Sequence, residues 1–230
     1  MVKNLKIYKD FNISRKFNNS IILIGNFDGL HIGHQKLFKI ARKYKLRKKL
    51  KLGVITFDPI PKMFFNPTFK NYRISNFNQK IEILKSYNID FIINKKFDKK
   101  FSKTKYTNFI KNVLYKKIKP RYIFVSDNFR FGNKREGDVS SLKQFEKIYG
   151  YKIINPSPLK KNLKIVSSTL IRKYLSEGKI KVANKYLDRN WSIEGLVKIG
   201  RRMGRQIGFP TCNIDIGDYI ISKPGVYTVK

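Results

Sequence analysis

Ile24-Gly25-Asn26-Phe27-Asp28-Gly29-Leu30-His31-Ile32-Gly33-His34 closes a short aliphatic run that starts at Ile21 and opens a stretch in which Leu37, Ile40, Ala41 and Tyr44 recur at helical spacing. An aliphatic strand, a glycine-punctuated turn and an amphipathic helix in that order predict the first βα unit of an α/β protein. The only two histidines of the chain sit in this turn, at His31 and His34. A helix start already favours an anion through its free N–H groups and its dipole. Gly25, Gly29 and Gly33 are expected to let the backbone turn sharply and a phosphate come close. His31 and His34 would then direct donors at oxygens of an α-phosphate as charge develops in an in-line displacement. The plainer reading is a pair of histidines that cap the helix and pack.

Working outward, Ser20–Gly25, Gly53–Phe57, Phe91–Ile93, Tyr122–Ser126 and Lys152–Ile154 read as short buried strands rich in Ile, Val and Phe. Amphipathic segments lie between them, such as the one carrying Tyr106, Phe109, Ile110, Val113 and Leu114. This alternation predicts a parallel sheet with right-handed crossovers, whose ligands bind beyond the carboxyl ends of the strands. Past Pro156 a helix is expected from Ser167-Ser168-Thr169 to the stop at Gly178, then a second from Ile180 to Leu187. From Trp191 the texture is β-like and rich in glycine. A boundary near Asp188–Asn190 divides the chain into residues 1–188 and 189–230, the second piece being close to the lower size limit for independent folding.

Composition narrows the function classes. Among 230 residues, 41 % are hydrophobic and 14 % aromatic, enough for a packed core. No run approaches the ~20 apolar residues of a membrane span, and the first residues lack the features of a secretory signal. One cysteine, Cys212, excludes an internal disulfide, and a cytoplasmic protein is expected. The net charge of +36 invites a nucleic-acid partner, but the basic residues run along the whole chain, which reads better as a basic solvated surface that also attracts small anions.

The turn Gly25–His34 resembles the nucleotide-binding signature of the prokaryotic bifunctional FAD synthetases, which join an FMN adenylyltransferase domain to a riboflavin kinase domain. Three further segments resemble that family in its order: Thr56-Phe57-Asp58-Pro59-Ile60-Pro61, the Val125–Asp138 stretch that contains Asp127 and Asn128, and Val166-Ser167-Ser168-Thr169-Leu170-Ile171-Arg172. The resemblance implies a Rossmann-like HxGH nucleotidyltransferase domain that transfers the adenylyl group of ATP to FMN with Mg²⁺. It leaves Gly25, Asn26, Phe27, Asp28, Gly29 and Gly33 to shape the nucleotide pocket.

The chemistry of the residues is compatible with this. Ser168, Thr169 and Arg172 at a helix start can hold the pyrophosphate that leaves, or can be an ordinary N-cap with a surface arginine. The resemblance assigns Asn128 to nucleotide contact, while spacing alone equally allows a turn-forming Asx pair. Asp58-Pro59-Ile60-Pro61 reads as a rigid wall on the flavin side or as loop punctuation. Ile60 stands where the family has histidine, so that side chain cannot donate to a phosphate.

Gly200–Asn213 resembles the glycine-rich flap and P-T-x-N motif of riboflavin kinases, and Pro224-Gly225-Val226-Tyr227 resembles the next strand of that barrel. The resemblance implies that Thr211 and Asn213 hold Mg²⁺, with riboflavin as a substrate if the kinase site is complete. Here only the start of the barrel is expected, and kinase activity is not expected from residues 189–230 alone. Two alternatives stand beside this reading: the same HxGH site with another acceptor, such as pantetheine phosphate or a pyridine mononucleotide, and a basic nucleic-acid-binding protein on a nucleotidyltransferase scaffold.

Overall fold

The computed structural model describes residues 5–200, 208 and 211–229. Its first half runs β1 (Lys6–Tyr8), β2 (Ile21–Ile24), α1 (Ile32–Lys48), β3 (Leu52–Asp58), α2 (Pro61–Phe65), α3 (Phe77–Ser86) and β4 (Phe91–Lys96). After α4 (Lys99–Ser102), α5 (Tyr106–Asn108) continues into a π-helical stretch, Phe109–Ile118, that feeds β5 (Tyr122–Phe124). The hairpin β6 (Arg130–Phe131) and β7 (Gly137–Asp138) precedes α6 (Val139–Gln144), α7 (Glu146–Tyr149) and β8 (Lys152–Ile154). A second hairpin, β9 (Lys160–Lys161) and β10 (Lys164–Ile165), leads to α8 (Ser168–Ser176) and α9 (Ile180–Leu187), and the short pair β11 (Val197–Lys198) and β12 (Asn213–Ile214) follows.

Six strands form one sheet in the order β1-β4-β3-β2-β5-β8, and every neighbouring pair is parallel. The order reverses between β2 and β5, so a crevice opens at the carboxyl ends of these two strands. The five expected strands are all present. β1 is the addition: its three residues carry little apolar signal and pair only at the edge, with β4.

The alternation along the strands explains the layering. Ile22, Ile24, Ile55 and Ile93 face a cluster with Phe109, Ile110 and Leu114, while Ile21, Leu23, Val54 and Ile92 face Leu37, Phe38 and Ala41 of α1. With helices on both faces, β2 is buried at all four positions. Gly53 is required inside β3, because a Cβ there would run into the ring of Phe91. A third cluster packs α8 on α9 through Ile171, Leu175, Ala183, Tyr186 and Leu187, and reaches Ile74.

The C-terminal segment is only partly as expected. β11 and β12 pair antiparallel, but Pro224–Tyr227 forms no strand: Val226 is exposed, and no described strand lies alongside to satisfy its backbone. Residues 201–207, 209 and 210 of the glycine-rich flap lie outside the described residues. Residues 217–220 instead run along residues 71–74. The N–H groups of Tyr72 and Arg73 donate to the Asp218 carbonyl, and that of Ile220 donates to Arg73. No helix among the described residues is long and apolar enough to cross a membrane.

Candidate active site

At the end of β2 the chain makes its sharp turns at Phe27 (φ 48°), Gly29 (φ 76°) and Leu30 (φ 41°). Positive φ at two non-glycine residues is uncommon and marks a conformation held by its surroundings. Of the three glycines expected to bend the turn, only Gly29 has positive φ. The other two make room for rings. A Cβ on Gly25 would meet the Phe27 ring at 3.0 Å, and one on Gly33 would meet the His31 ring at 3.1 Å.

His31 is the N-cap of α1, and its Nδ1 accepts from the backbone N–H of His34 at 3.3 Å. That bond leaves the proton of the neutral ring on Nε2, so a donor is available on the far side. The two imidazoles stack at 3.7 Å, and Phe27 meets His34 edge-on at 5.3 Å. Burial, then the cations Arg172 and Arg189, pull the His31 pKa down to about 3. Burial, then His31, Lys80 and Arg172, push His34 well below its ordinary value. Both rings are therefore neutral near pH 7. His34 Nδ1 and Asn26 Oδ1 are buried without a hydrogen-bond partner among the described residues, so two polar atoms of this turn remain for a ligand.

Asp28 joins the 25–34 turn to the start of α8. Its carboxylate accepts from the backbone N–H groups of Ile74 (3.1 Å) and Ser75 (3.3 Å) and pairs with Arg172 at 2.6 Å. Its carbonyl accepts from Ser168 Oγ at 2.9 Å. Arg172 also donates through Nε to the Tyr72 carbonyl at 2.7 Å and stacks on the Tyr72 ring at 3.6 Å. Two of the donors that the sequence reading assigned to pyrophosphate thus hold protein groups. Ser167 is the N-cap of α8, as its Oγ accepts from Leu170 N–H; Ser168 opens the first turn, and Thr169 is exposed.

The remaining residues lie apart from this turn in the chain. β5 ends earlier than expected, because Ser126 to Phe129 form a turn closed at 3.0 Å, with Asp127 and Asn128 exposed at its centre. Asp58, at the end of β3, pairs with Arg73. Ile60 is buried at the start of α2, a packing position rather than a surface one. Thr211 and Asn213 are both exposed, and the Asn213 amide lies over Gly200. No cluster of three or more His, Cys, Asp or Glu side chains that could cage a metal exists among the described residues. The chemistry of two exposed neutral oxygens would suit only a cation that keeps most of its ligands from phosphate and water.

Sequence reasoning missed three contributors: Lys80 of α3, which donates to the Asn26 carbonyl at 2.8 Å; Arg189, which donates to the Gly29 carbonyl at 2.8 Å; and the 71–75 segment. The 51 lysines and arginines gave no means of singling out the two cations.

The comparisons with known proteins bear on the same fold. The FAD synthetase family model matches residues 13–170, and the riboflavin kinase model matches residues 187–230. The chain belongs to the bifunctional riboflavin kinase/FMN adenylyltransferase family. The family member from Buchnera aphidicola subsp. Schizaphis graminum is 41 % identical over 230 residues, covering 98 % of this chain and 73 % of its own. The Escherichia coli K12 member is 31 % identical over 210 residues, covering 91 % of this chain and 67 % of its own. A crystal structure of a Streptococcus pneumoniae protein described as a macrolide-efflux protein superposes with a TM-score of 0.83 at 26 % identity, covering 96 % of this chain and 72 % of that one. As a family member the chain is an enzyme, with an FAD synthetase domain built on the Rossmann-like sheet.

Proposed function

We propose that this enzyme transfers the adenylyl group of ATP to FMN, giving FAD and pyrophosphate, at the crevice lined by residues 25–34 and 168–172. The observation that carries the reading is the neutral histidine pair at the start of α1, tied to the start of α8 through Asp28, Arg172 and Ser168. An oxygen of the FMN phosphate attacks the α-phosphorus, and the bond to the bridging oxygen of pyrophosphate breaks, so no protein nucleophile is needed. His31 donates from Nε2 and His34 from its ring to the α-phosphate oxygens, where charge grows in the transition state. Thr169 and the N–H groups opening α8 receive the leaving pyrophosphate, with Arg172 holding the two segments in register. Asn26, Asn128 and the Asp58 loop line the nucleotide and flavin sides of the crevice.

Bound Mg²⁺ supplies charge neutralisation on the phosphates, and Thr211 and Asn213 are the residues that would hold it at the kinase-like segment. The basic surface draws both anionic substrates, and the proposed setting is the cytoplasm. We divide the chain at Asp188, which follows α9 in a left-handed conformation, into an adenylyltransferase unit and a kinase-like unit. The names of the relatives favour FMN over another acceptor and over nucleic acid.

FAD formation from FMN, ATP and Mg²⁺, followed by chromatography, tests the reading. The wild-type chain should form FAD in step with pyrophosphate, and His34→Ala should lose turnover with its melting temperature retained. Full activity in the folded variant would sink the assignment of the histidines.

A further inference from the structure

Lys80 lies on α3, outside both phosphate segments, and is only 2 % exposed. Its ammonium donates to the Asn26 carbonyl at 2.8 Å and to Thr56 Oγ1 at 3.3 Å, and Thr56 Oγ1 donates to the same carbonyl at 3.2 Å. These three groups form a closed triangle under the turn that leaves β2, and the ammonium has one N–H left over. The acids that face it are engaged elsewhere: Asp28, from the turn after β2, pairs with Arg172, and Asp58, from the end of β3, pairs with Arg73. His34 faces it from α1, and Arg73 adds like charge from the 71–75 segment. Burial is the largest influence on the ammonium and brings its pKa down to about 8.

A buried ammonium without a carboxylate of its own costs stability, because two neutral acceptors do not replace its hydration. Packing does not require the charge, since a methionine side chain of similar length would fill the volume. What does benefit is an anion above the turn, because a charge held in a desolvated site acts on it more strongly than one in water. We propose that Lys80 is a positioning residue of adenylyl transfer, fixing the Asn26 carbonyl ahead of the histidine pair and supplying the positive charge that a phosphate bound at this turn completes. The proposal rests on reading the histidine turn as the phosphate site, and its test separates the two.

Lys80→Met removes the charge and keeps the stem; Lys80→Arg keeps the charge. The readouts are kcat, KM for ATP and FMN, melting temperature, ATP affinity by calorimetry, and the pH profile from about 6.5 to 9.5. The expected result for Lys80→Met is a fall in kcat of about a hundredfold with an unchanged or higher melting temperature. Wild-type kcat/KM should fall as pH rises through about 8, where the ammonium of the substrate-free enzyme loses its proton, and Lys80→Arg should move that limb to higher pH. A kcat near wild type in Lys80→Met, a loss that only follows a lower melting temperature, or an alkaline limb unmoved in Lys80→Arg would overturn the proposal. If Lys80→Met does not fold, the wild-type and Lys80→Arg profiles decide. If wild type makes no FAD, the proposed reaction fails by itself; Lys80 is then judged on ATP affinity, where weakening in Lys80→Met supports its role and equal affinity refutes it.

Discussion

Replacing Arg172 by methionine would test whether the 25–34 turn and the start of α8 are held together by a buried ion pair. The Asp28 and Arg172 side chains are 3 % and 10 % exposed. Without the guanidinium, Asp28 keeps the N–H groups of Ile74 and Ser75 but loses the cation it pairs with directly, and the Tyr72 carbonyl loses its donor. Removing one partner of such a pair costs about 3–5 kcal/mol, because the other charge stays buried. For a chain of 230 residues each kcal/mol moves the melting temperature by about 2–4 °C, so Arg172→Met should melt roughly 6–20 °C lower. Asp28→Asn combined with Arg172→Met strands no charge, and its amide oxygen can still accept from Ile74 and Ser75. That double variant should recover most of the loss. Thermal and urea unfolding followed by circular dichroism measure both, with FAD formation assayed in parallel. A double variant that is stable yet inactive would show that the pair serves turnover as well as stability. A single variant within about 1 kcal/mol of wild type, or a double variant as unstable as the single one, would refute the argument.

Two further outcomes are expected. His31 binds its proton with a pKa of about 3 in the fold against 6.5 in an unfolded chain, so between these values the unfolded state holds more protons. Stability from this group is complete above pH 6.5 and is lost as pH falls toward 3. The urea midpoint should decline over that window, less steeply in His31→Asn, where the capping acceptor is kept; equal slopes would contradict the burial argument. Asn71→Ala removes an amide that donates to the carbonyls of Gly217 (2.8 Å) and Tyr219 (3.1 Å). The strap over residues 71–74 should weaken by about 1 kcal/mol, and the amides of Tyr72 and Arg73 should exchange with solvent roughly fivefold faster. Unchanged exchange would show that the strap does not depend on Asn71.

Position along the chain was enough for whatever local periodicity encodes. The strands at Ile21–Ile24 and Leu52–Asp58 announce themselves by apolar runs buried on both faces, and α9 by its apolar stripe, because neighbouring residues alone set those patterns. The histidine turn was legible for the same reason: its chemistry and its strand-to-helix setting lie within a dozen residues.

Tertiary structure decided which polar groups are free and which are already engaged. Arg172 reads from sequence as an open phosphate ligand, yet its partner Asp28 lies 144 residues away, and only the fold brings them to 2.6 Å. Lys80 is one of 51 cations until α3 packs it beneath the Asn26 carbonyl and excludes water. Gly25 and Gly33 make room for rings that pack over them and are not needed for a positive φ. Local sequence specifies backbone period and chemical type, while desolvation and long-range pairing depend on everything that surrounds a group; the sequence therefore determined the sheet and the histidine turn, and the fold alone determined the electrostatic state of the residues around it.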